Sequence, residues 1–373
     1  MIPGLDGLRA IAFLLVFALH TDYLQIGWIG VQFFFVLSGF LITGILLDMK
    51  KSLPTLEYFK NFYGRRFLRI FPLYYFYLLL MTGITLGLIA LSYRSNYMKI
   101  FLDQIWYAVF YVYDFFFGTI SFQYSHFLDH FWSLSVEEQF YIFWPLLILL
   151  VPEKWTKSLF LSCIAFGLIF RIIFYFIYHS GVFRFFGDTV AAAVYPLPFN
   201  HIDAFAFGAY LSRYSIPKAK GQFFLLFALI PIIGFVAQYV ATGDIGPIST
   251  LGYPLLLANG YQYIWGYSIL NYFFAIVIQV VAKEGLFNSF LELPFMRYLG
   301  KISYGLYVYH YPVIWFSGRI RDVISMPEWI AKLLTALIAF CATLLISSLS
   351  YRFLEKPLLS LKDRFFALKR KPA

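Results

Sequence analysis

Long apolar runs recur along the whole chain, and each is about long enough to cross a lipid bilayer, which takes roughly 17–25 residues. We place ten such spans, at approximately residues 8–24, 29–47, 67–91, 136–151, 159–178, 196–212, 222–240, 262–282, 302–317 and 329–349. Backbone groups inside hydrocarbon must be hydrogen-bonded internally, and unbroken runs of this length favour helices over barrel strands. The sequence therefore predicts an all-α, polytopic membrane protein.

Composition agrees with that class and excludes others. Hydrophobic residues make up 61% of the 373 residues and charged residues 13%, about half the share that is usual in soluble proteins. Two cysteines cannot form a disulfide framework, and both lie in apolar runs. A net charge of +10 would suggest nucleic acid in a soluble protein, but here it reflects basic loops, so we expect no nucleic-acid partner.

The distribution of Lys and Arg predicts the orientation of the chain, because basic residues collect in cytoplasmic loops. With the N-terminus inside, the inner loops and the tail hold 21 of these residues and the outer loops hold 6. Both termini are therefore expected in the cytoplasm. We expect one membrane domain over residues 1–373, with a short basic cytoplasmic tail at 352–373. Its Lys369, Arg370 and Lys371 are expected to contact anionic headgroups.

One further stretch, residues 101–117, is aromatic and apolar but is interrupted by Asp103, Gln104 and Asp114. We interpret it as an interfacial or re-entrant helix, and an eleventh span is the alternative.

Arg9 and His20 are the first candidate functional pair. Eleven residues separate them, so a helix places both on one face, about 16 Å apart along its axis. Ionisable groups in a span are costly and need a partner or a function. A polar groove that runs from the inner mouth towards His20 would explain the pair. A snorkelling Arg and a His that is hydrogen-bonded to a neighbouring hydroxyl would explain it equally.

Arg66 and Arg69 form the second candidate. They stand three residues apart at a predicted helix start and point the same way. Guanidinium groups bind phosphate in a bidentate manner, which suits a phosphorylated cytoplasmic ligand. The same charges also serve as topology determinants, and the spacing does not separate the two readings.

Polar residues near the outer ends of other spans complete the candidates. Glu137 follows Trp132-Ser133-Leu134-Ser135-Val136 at the start of the fourth span, where it could orient His20 or simply cap the helix. Arg171 requires an intramembrane partner, for which Asp203 or Glu137 would serve. Trp132 and Tyr141 could stack on a sugar, and His310 is a polar group in an aromatic span. His126 and His130 have metal-ligand spacing but lack a third ligand, so we expect no metal site.

Taken together, these segments resemble the acyltransferase-3 family of bacterial membrane O-acyltransferases. The resemblance rests on six motifs in order along the chain: Asp6-Gly7-Leu8-Arg9-Ala10 with Arg9 and His20, Phe35-Val36-Leu37-Ser38-Gly39-Phe40-Leu41-Ile42, Arg66 with Arg69, Trp132 to Glu137 leading into Phe140-Tyr141, Ile302-Ser303-Tyr304 through His310, and Tyr351-Arg352-Phe353-Leu354-Glu355-Lys356-Pro357.

The resemblance implies a transferase that takes an acetyl or similar short acyl group from cytoplasmic acetyl-CoA. The acceptor would be a hydroxyl of a cell-surface glycan or lipid-linked sugar, such as lipopolysaccharide O-antigen or exopolysaccharide, and would be reached from the periplasmic side of the bacterial inner membrane. By resemblance His20 and Glu137 are catalytic positions, and Arg9, Arg66 and Arg69 bind coenzyme A. We place Trp132, Tyr141, Asp203 and His310 on the acceptor side.

The chain departs from the family pattern in two places. Gln32 stands where an Asp is frequent, and the segment Asn200-His201-Ile202-Asp203 lacks a frequent Arg. Some relatives carry a C-terminal extracytoplasmic hydrolase-like domain, and we expect none in this chain. A transporter for a polar or proton-coupled solute is the alternative function, since buried Arg, His and Glu also suit a permease. No inverted repeat or pair of broken helices favours it.

Overall fold

The fold is known from a computed structural model, which describes residues 2–183, 185–322 and 327–366. Across those residues the backbone is overwhelmingly helical and contains no β-strand, with one isolated bridge between Thr119 and Phe186. The all-α prediction is therefore confirmed for this part of the chain. The tail residues Lys369, Arg370 and Lys371 lie outside the described residues.

The described residues form sixteen α-helices in chain order: α1 Leu5–His20, α2 Ile29–Ser52, α3 Thr55–Ala90, α4 Ser95–Val109, α5 Tyr113–Phe117, α6 Phe131–Leu150, α7 Thr156–His179, α8 Val190–Val194, α9 Ile202–Arg213, α10 Ala219–Thr242, α11 Gln262–Ala282, α12 Asn288–Leu291, α13 Pro294–Lys301, α14 Ser303–Gly318, α15 Glu328–Ser350 and α16 Lys356–Phe365.

Seven helical stretches in the described part of the chain are long and apolar enough to cross a membrane, with bounds of Gln25–Ser52, Thr55–Ala90, Phe131–Leu150, Glu153–His179, Ala219–Thr242, Gln262–Ala282 and Glu328–Lys362. Each overlaps one of the ten predicted spans. A multi-pass membrane protein is therefore the class that the fold defines.

The three other predicted spans, at 8–24, 196–212 and 302–317, correspond to shorter helices. These are α1 and α14, with 16 residues each, and α9, with 12 residues. At 1.5 Å per residue, α1 and α14 are about 24 Å long, somewhat less than a hydrocarbon core of about 30 Å. The count of ten spans and the cytoplasmic placement of the termini stay predictions.

Helix α3 is longer than its predicted span. Its 36 residues correspond to about 54 Å, well beyond the thickness of the hydrocarbon core. The extra length lies at its N-terminal end, before Phe67, and includes Arg65 and Arg66. The segment 101–117 is not one continuous helix, because α4 ends at Val109 and α5 begins at Tyr113.

The helices form two compact units, each assembled from several stretches of sequence. The first comprises residues 1–45, 114–122 and 136–301, and the second comprises residues 46–113, 123–135 and 302–373. In the first unit α7 packs on α9 and α11, α10 packs on α11, and α1 packs on α13. In the second unit α14 packs on α15, and α3 packs on α4 and α16.

Two glycines allow α2 and α9 to cross at backbone contact in the first unit. A Cβ added to Gly39 would lie 2.0 Å from the carbonyl oxygen of Phe205, and one added to Gly208 would lie 1.9 Å from that of Val36. Small residues at such a crossing let transmembrane backbones approach closely. This contact fixes the part of α2 that carries Ser38.

Candidate functional site

Arg9 lies in the first half of α1, and its side chain is held by Asp6. The guanidinium Nη1 donates to Asp6 Oδ1 at 2.8 Å, one helical turn away. The turn itself is packed tightly, because a Cβ on Gly7 would lie 2.5 Å from the carbonyl oxygen of Leu291. The backbone N–H of Gly4 donates to Glu292 Oε1 at 2.5 Å. The first motif therefore anchors the start of α1 and directs Arg9.

His20 is the last residue of α1 and is half-buried. The helix is unbroken from Arg9 to His20, so the two residues lie on one face, as the spacing predicts. Beyond His20, Thr21 closes the helix by donating its hydroxyl to the carbonyl oxygen of Phe17 at 2.9 Å. The contact between His20 and Glu137 stays a prediction.

Glu137 belongs to a cluster of three polar side chains inside the first unit. The hydroxyls of Ser38 on α2 and of Tyr141, one turn along α6, both donate to Glu137 Oε1, the latter at 2.5 Å. The two hydroxyl oxygens are 3.3 Å apart. Tyr141 is buried and Glu137 is half-buried. The arrangement fixes the carboxylate by hydroxyl donors, and Tyr141, which we predict on the acceptor side, is one of them.

Ser38 was not among the predicted site residues, although its motif was singled out. A hydroxyl in a membrane helix commonly bonds the carbonyl one turn back, so sequence alone gives no reason to assign it a distant partner. The signal available in the sequence is its position, because Ser38 is a polar residue inside the otherwise apolar run of residues 33–42.

Asp203 is the intramembrane partner of Arg171, one of the two partners that the sequence offered. Both side chains are fully buried, and Arg171 Nη2 donates to Asp203 Oδ2 at 2.7 Å. The same carboxylate accepts from Ser268 at 2.7 Å and from Asn271 at 3.1 Å. Arg171 also donates to the carbonyl oxygens of Ile264 and Asn200, both at 2.8 Å. These bonds tie α7, α9 and α11 together, and an acceptor contact for Asp203 stays a prediction.

The two departures from the family pattern meet in the structure. Gln32 on α2 and His201 before α9 are both fully buried, and Gln32 Nε2 lies 2.8 Å from His201 Nδ1. The other ring nitrogen, Nε2, lies 2.7 Å from the carbonyl oxygen of Tyr195. A neutral hydrogen bond therefore joins the two segments in which the family frequently has an Asp and an Arg.

In the second unit, Arg66 and Arg69 lie half-buried on α3. The Arg66 guanidinium stands over the ring of Phe62 at 6.0 Å. Arg69 is close enough to the buried carboxylate of Glu355 to interact electrostatically with it. Glu355 lies in a single π-helical turn, Tyr351–Glu355, which joins α15 to α16.

Three of the motifs quoted from the sequence meet around Glu355. Tyr304 on α14 donates its hydroxyl to the carbonyl oxygen of Ile70 at 3.1 Å, and a Cβ on Gly305 would lie 3.2 Å from Glu355 Oε1. The Arg66–Arg69 turn, the start of α14 and the Tyr351–Glu355 turn therefore form one assembly within the second unit. A π-turn of this kind is frequent at functional sites.

Trp132 and His310 lie in the interior of the second unit. The Trp132 side chain is only 5% exposed, so little of its ring is available to a sugar in this conformation. His310 is fully buried, with Nδ1 2.6 Å from the carbonyl oxygen of Tyr307. The neighbouring His130 donates Nε2–H to the carbonyl oxygen of Val308 at 3.0 Å, and Ser133 bonds the Tyr307 hydroxyl at 2.5 Å. Acceptor binding by Trp132 and His310 stays a prediction.

The loop that precedes α6 carries two titratable groups outside the spans. His126 Nδ1 lies 2.6 Å from the Tyr97 hydroxyl, and burial lowers the pKa of His126 to about 4. Asp129 accepts from the backbone N–H of Ser125 at 2.8 Å, and burial raises the pKa of Asp129 to about 8. Within residues 2–183, 185–322 and 327–366, no group of three or more His, Cys, Asp and Glu side chains could hold a metal ion.

Comparison with known proteins agrees with the class that the fold and these motifs define. The acyltransferase domain of the acyltransferase-3 family matches residues 2–352, so the chain belongs to that family. The peptidoglycan O-acetyltransferase OatA of Listeria monocytogenes is 28% identical, and the O-acetyltransferase OatA of Staphylococcus aureus is 29% identical. Each alignment covers 96% of this chain but 56% and 57%, respectively, of the relative, so the chain spans little more than half their length. No solved structure matches the chain.

Proposed function

We propose that the protein is a membrane O-acetyltransferase of the bacterial inner membrane. It would move an acetyl group from cytoplasmic acetyl-CoA to a hydroxyl of a cell-surface glycan or lipid-linked sugar on the periplasmic side. Family membership over residues 2–352 and the names of the relatives support an acyl transfer to oxygen. The observation that carries the proposal is the hydroxyl-bound carboxylate of Glu137, set among membrane helices where such a group is costly without a role.

The residues divide into donor and acid–base roles. Arg66 and Arg69 would bind the phosphates of coenzyme A, because they project from one turn of α3 at its basic end and guanidinium groups match phosphate geometry. Arg9, directed by Asp6, would contribute further positive charge to donor binding. His20 would act as general base, and Glu137 would keep the imidazole in its reactive orientation.

The chemistry needs one proton transfer and one acyl transfer. His20 accepts the proton of the acceptor hydroxyl as that oxygen attacks the thioester carbonyl of acetyl-CoA. The carbon–sulfur bond breaks, the acetyl group becomes an ester of the acceptor, and the coenzyme A thiolate takes up the proton from His20. A transient acetyl-His20 is the alternative course, in which the imidazole itself attacks the thioester and then passes the acetyl group to the hydroxyl.

The name of the Listeria relative makes peptidoglycan the first polymer to test as the acceptor, with O-antigen and exopolysaccharide after it. Inverted membrane vesicles that contain the host's glycans expose the cytoplasmic face to added donor. Labelled acetyl-CoA should transfer label to glycan with the natural sequence and not with His20→Ala at equal expression. Absence of label with both proteins, together with absence of coenzyme A binding, would contradict the proposal.

Donor binding by the arginines has a matched control. Arg66→Ala should raise the KM for acetyl-CoA about tenfold or more, because a charge-assisted bond to phosphate contributes roughly 1.5–3 kcal/mol. Arg213→Ala removes an equally basic but exposed side chain, whose partner is Glu153 at 2.6 Å, and should leave the KM unchanged. An unchanged KM in both variants would identify Arg66 as a topology determinant.

A further inference from the structure

An open cleft of about 1010 Å³ lies wholly within the first unit, where the C-terminal ends of α7 and α10 meet the N-terminal end of α11. One wall is apolar and is formed by Ile232, Val236 and Val240 of α10. The rim is aromatic and includes Tyr175 of α7, Tyr261 before α11 and Trp265 within it. The volume reaches the upper end of what ligand pockets usually enclose. None of the candidate catalytic residues lines this cleft.

The apolar wall belongs to a membrane-spanning helix, and its side chains are open to the surroundings. Ile232 is 55% exposed and Val236 is 56% exposed. The side chains of this wall offer water no hydrogen-bond partners. Since the cleft opens on a helix that lies in hydrocarbon, the chemistry of the wall fits a hydrocarbon chain.

Hydrogen bonds and ring contacts hold the aromatic rim in place. Trp265 Nε1 donates to the carbonyl oxygen of Gly260 at 3.1 Å, and Asn259 Nδ2 donates to Gln238 Oε1 of α10 at the same distance. These bonds hold the loop before α11 against α10. The rings of Tyr175 and Tyr261 meet edge to face at 6.0 Å. Such a rim offers flat apolar faces and phenolic hydroxyls together, which suits a ligand with alternating C–H and O–H groups.

The charge of the residues that line the cleft indicates whether it suits a sugar or a phospholipid headgroup. The residues that line the cleft, all within 175–265 and all described by the structure, include His179 but no Lys, Arg, Asp or Glu. Nδ1 of His179 already lies 3.1 Å from the carbonyl oxygen of Tyr175. A phosphate placed here would lose water and gain neither a Lys nor an Arg partner, which is costly. A neutral sugar loses less and can use the tyrosine hydroxyls.

We propose that this cleft binds the hydrocarbon chain and the first neutral sugar of a glycolipid in which no phosphate joins the two. On the proposed function, on which this last step rests, that glycolipid carries the hydroxyl that is acetylated. The predicted orientation places the cleft towards the periplasmic side, since α10 has Lys218 and Lys220 at its N-terminal end and ends at Thr242.

Photolabelling in nanodiscs tests the binding directly and needs no catalysis. The probe is hexadecyl β-glucoside with a diazirine in its alkyl chain, added without acetyl-CoA. Label should concentrate on peptides from residues 175–191, 232–241 and 258–265. Unlabelled hexadecyl β-glucoside should displace it, and hexadecylphosphocholine at the same concentration should not.

Two substitutions on one helix provide a matched comparison. Ile232→Trp fills the cleft and should lower labelling about tenfold, which corresponds to roughly 1.4 kcal/mol of binding free energy. Leu225→Trp adds the same bulk on α10 at a side chain that is 58% exposed and outside the cleft, and should leave labelling unchanged. Val236→Phe fills less of the cleft than Ile232→Trp does. It replaces Ile232→Trp in the labelling test if that variant has a lowered melting temperature.

Label that is spread over all lipid-facing helices and is insensitive to Ile232→Trp would overturn the proposal. So would equal competition by hexadecylphosphocholine, which would indicate a groove for membrane lipid in general. Specific labelling with no acetyl transfer in the vesicle assay would remove the proposed function and leave the binding site. Acetyl transfer without specific labelling would support the proposed function and remove the proposed binding site.

Discussion

At the scale of single residues, two of the carboxylates within membrane helices, Glu137 and Asp203, have different surroundings. Asp203 is fully buried against the guanidinium of Arg171 and also accepts from Ser268 and Asn271. Glu137 is half-buried, and its Oε1 accepts from two hydroxyls that can rotate. A buried charge that loses its ion-pair partner is strongly destabilising, whereas hydroxyl donors can reorient. Asp203 is therefore suited to holding helices together, and Glu137 to taking part in chemistry.

This difference predicts opposite outcomes for two amide substitutions. Asp203→Asn leaves the Arg171 charge buried without a carboxylate and should cost about 3–5 kcal/mol of stability. Glu137→Gln keeps the shape of the side chain, so the melting temperature should change little while acetyl transfer falls and its pH profile shifts. Thermal denaturation in detergent and the vesicle assay measure the two effects. Equal loss of stability in both variants would identify Glu137 as a structural group that holds α2 against α6, because α6 begins at Phe131 and Glu137 lies too far inside it to cap its first turn.

Gln32 and His201 predict a compensating pair of changes. Gln32→Asp or His201→Arg alone places a charge in a fully buried contact and should lower the melting temperature of the purified protein. The double variant joins Asp to Arg across the same 2.8 Å contact and should recover at least part of the loss. If the loss of melting temperature in the double variant equals the summed losses of the two single variants, Gln32 and His201 do not act as a unit.

The contact partner of a side chain could be predicted from the sequence where a charge in an apolar span requires one. A charged Arg171 in an apolar span requires a carboxylate, and the sequence offers few, so Asp203 could be named in advance as one of two candidates, with Glu137 as the other. Ser38 carries no charge and has ready alternatives along its own helix, so its bond to Glu137 could not be foreseen. The pairing of Gln32 with His201 depends on the crossing of α2 and α9, which apolar periodicity does not specify.

At the scale of elements, length and apolarity located the helices well and their ends less well. Helix α3 continues for twelve residues before the predicted start at Phe67, because the segment 55–66 follows Pro54 and contains no further proline, and its Gly64 is tolerated within the helix. The stretch 101–117 is divided at Tyr111, which has a positive φ of 54° and separates α4 from α5. Hydrophobicity reports which residues leave water, whereas helix ends depend on local backbone geometry.

The crossing of α2 and α9 predicts a large effect from a small side chain. Gly208→Val would place a Cβ 1.9 Å from the carbonyl oxygen of Val36, so the helices must separate and Ser38 must move. We expect loss of folded protein on size-exclusion chromatography in detergent. Gly221→Val on α10, where nothing lies within 4 Å of the added Cβ, should leave the elution profile unchanged. Normal elution of Gly208→Val would refute close packing at this crossing.

At the scale of the whole molecule, the proposed function depends on which face of the membrane each helix end reaches. Donor binding by Arg66 and Arg69 requires the basic loops to face the cytoplasm, as the positive-inside rule predicts. For the cleft beside α10, the same rule predicts an opening towards the periplasmic side, where a glycolipid acceptor would be found. Sequence determines this asymmetry only through charge counts, because no apolar run distinguishes inside from outside.

The two ends of α10 give a direct test of orientation. In a variant with Cys163→Ser and Cys341→Ser, single cysteines at exposed positions Lys220→Cys and Asp244→Cys flank that helix. A membrane-impermeant maleimide should label Asp244→Cys in spheroplasts, whose inner membrane is intact. It should label Lys220→Cys only after that membrane is permeabilised. The matched pair controls for reactivity, since both sites are exposed and border one span. The reverse pattern would invert the predicted orientation of α10 and would contradict the placement of the cleft on the periplasmic side.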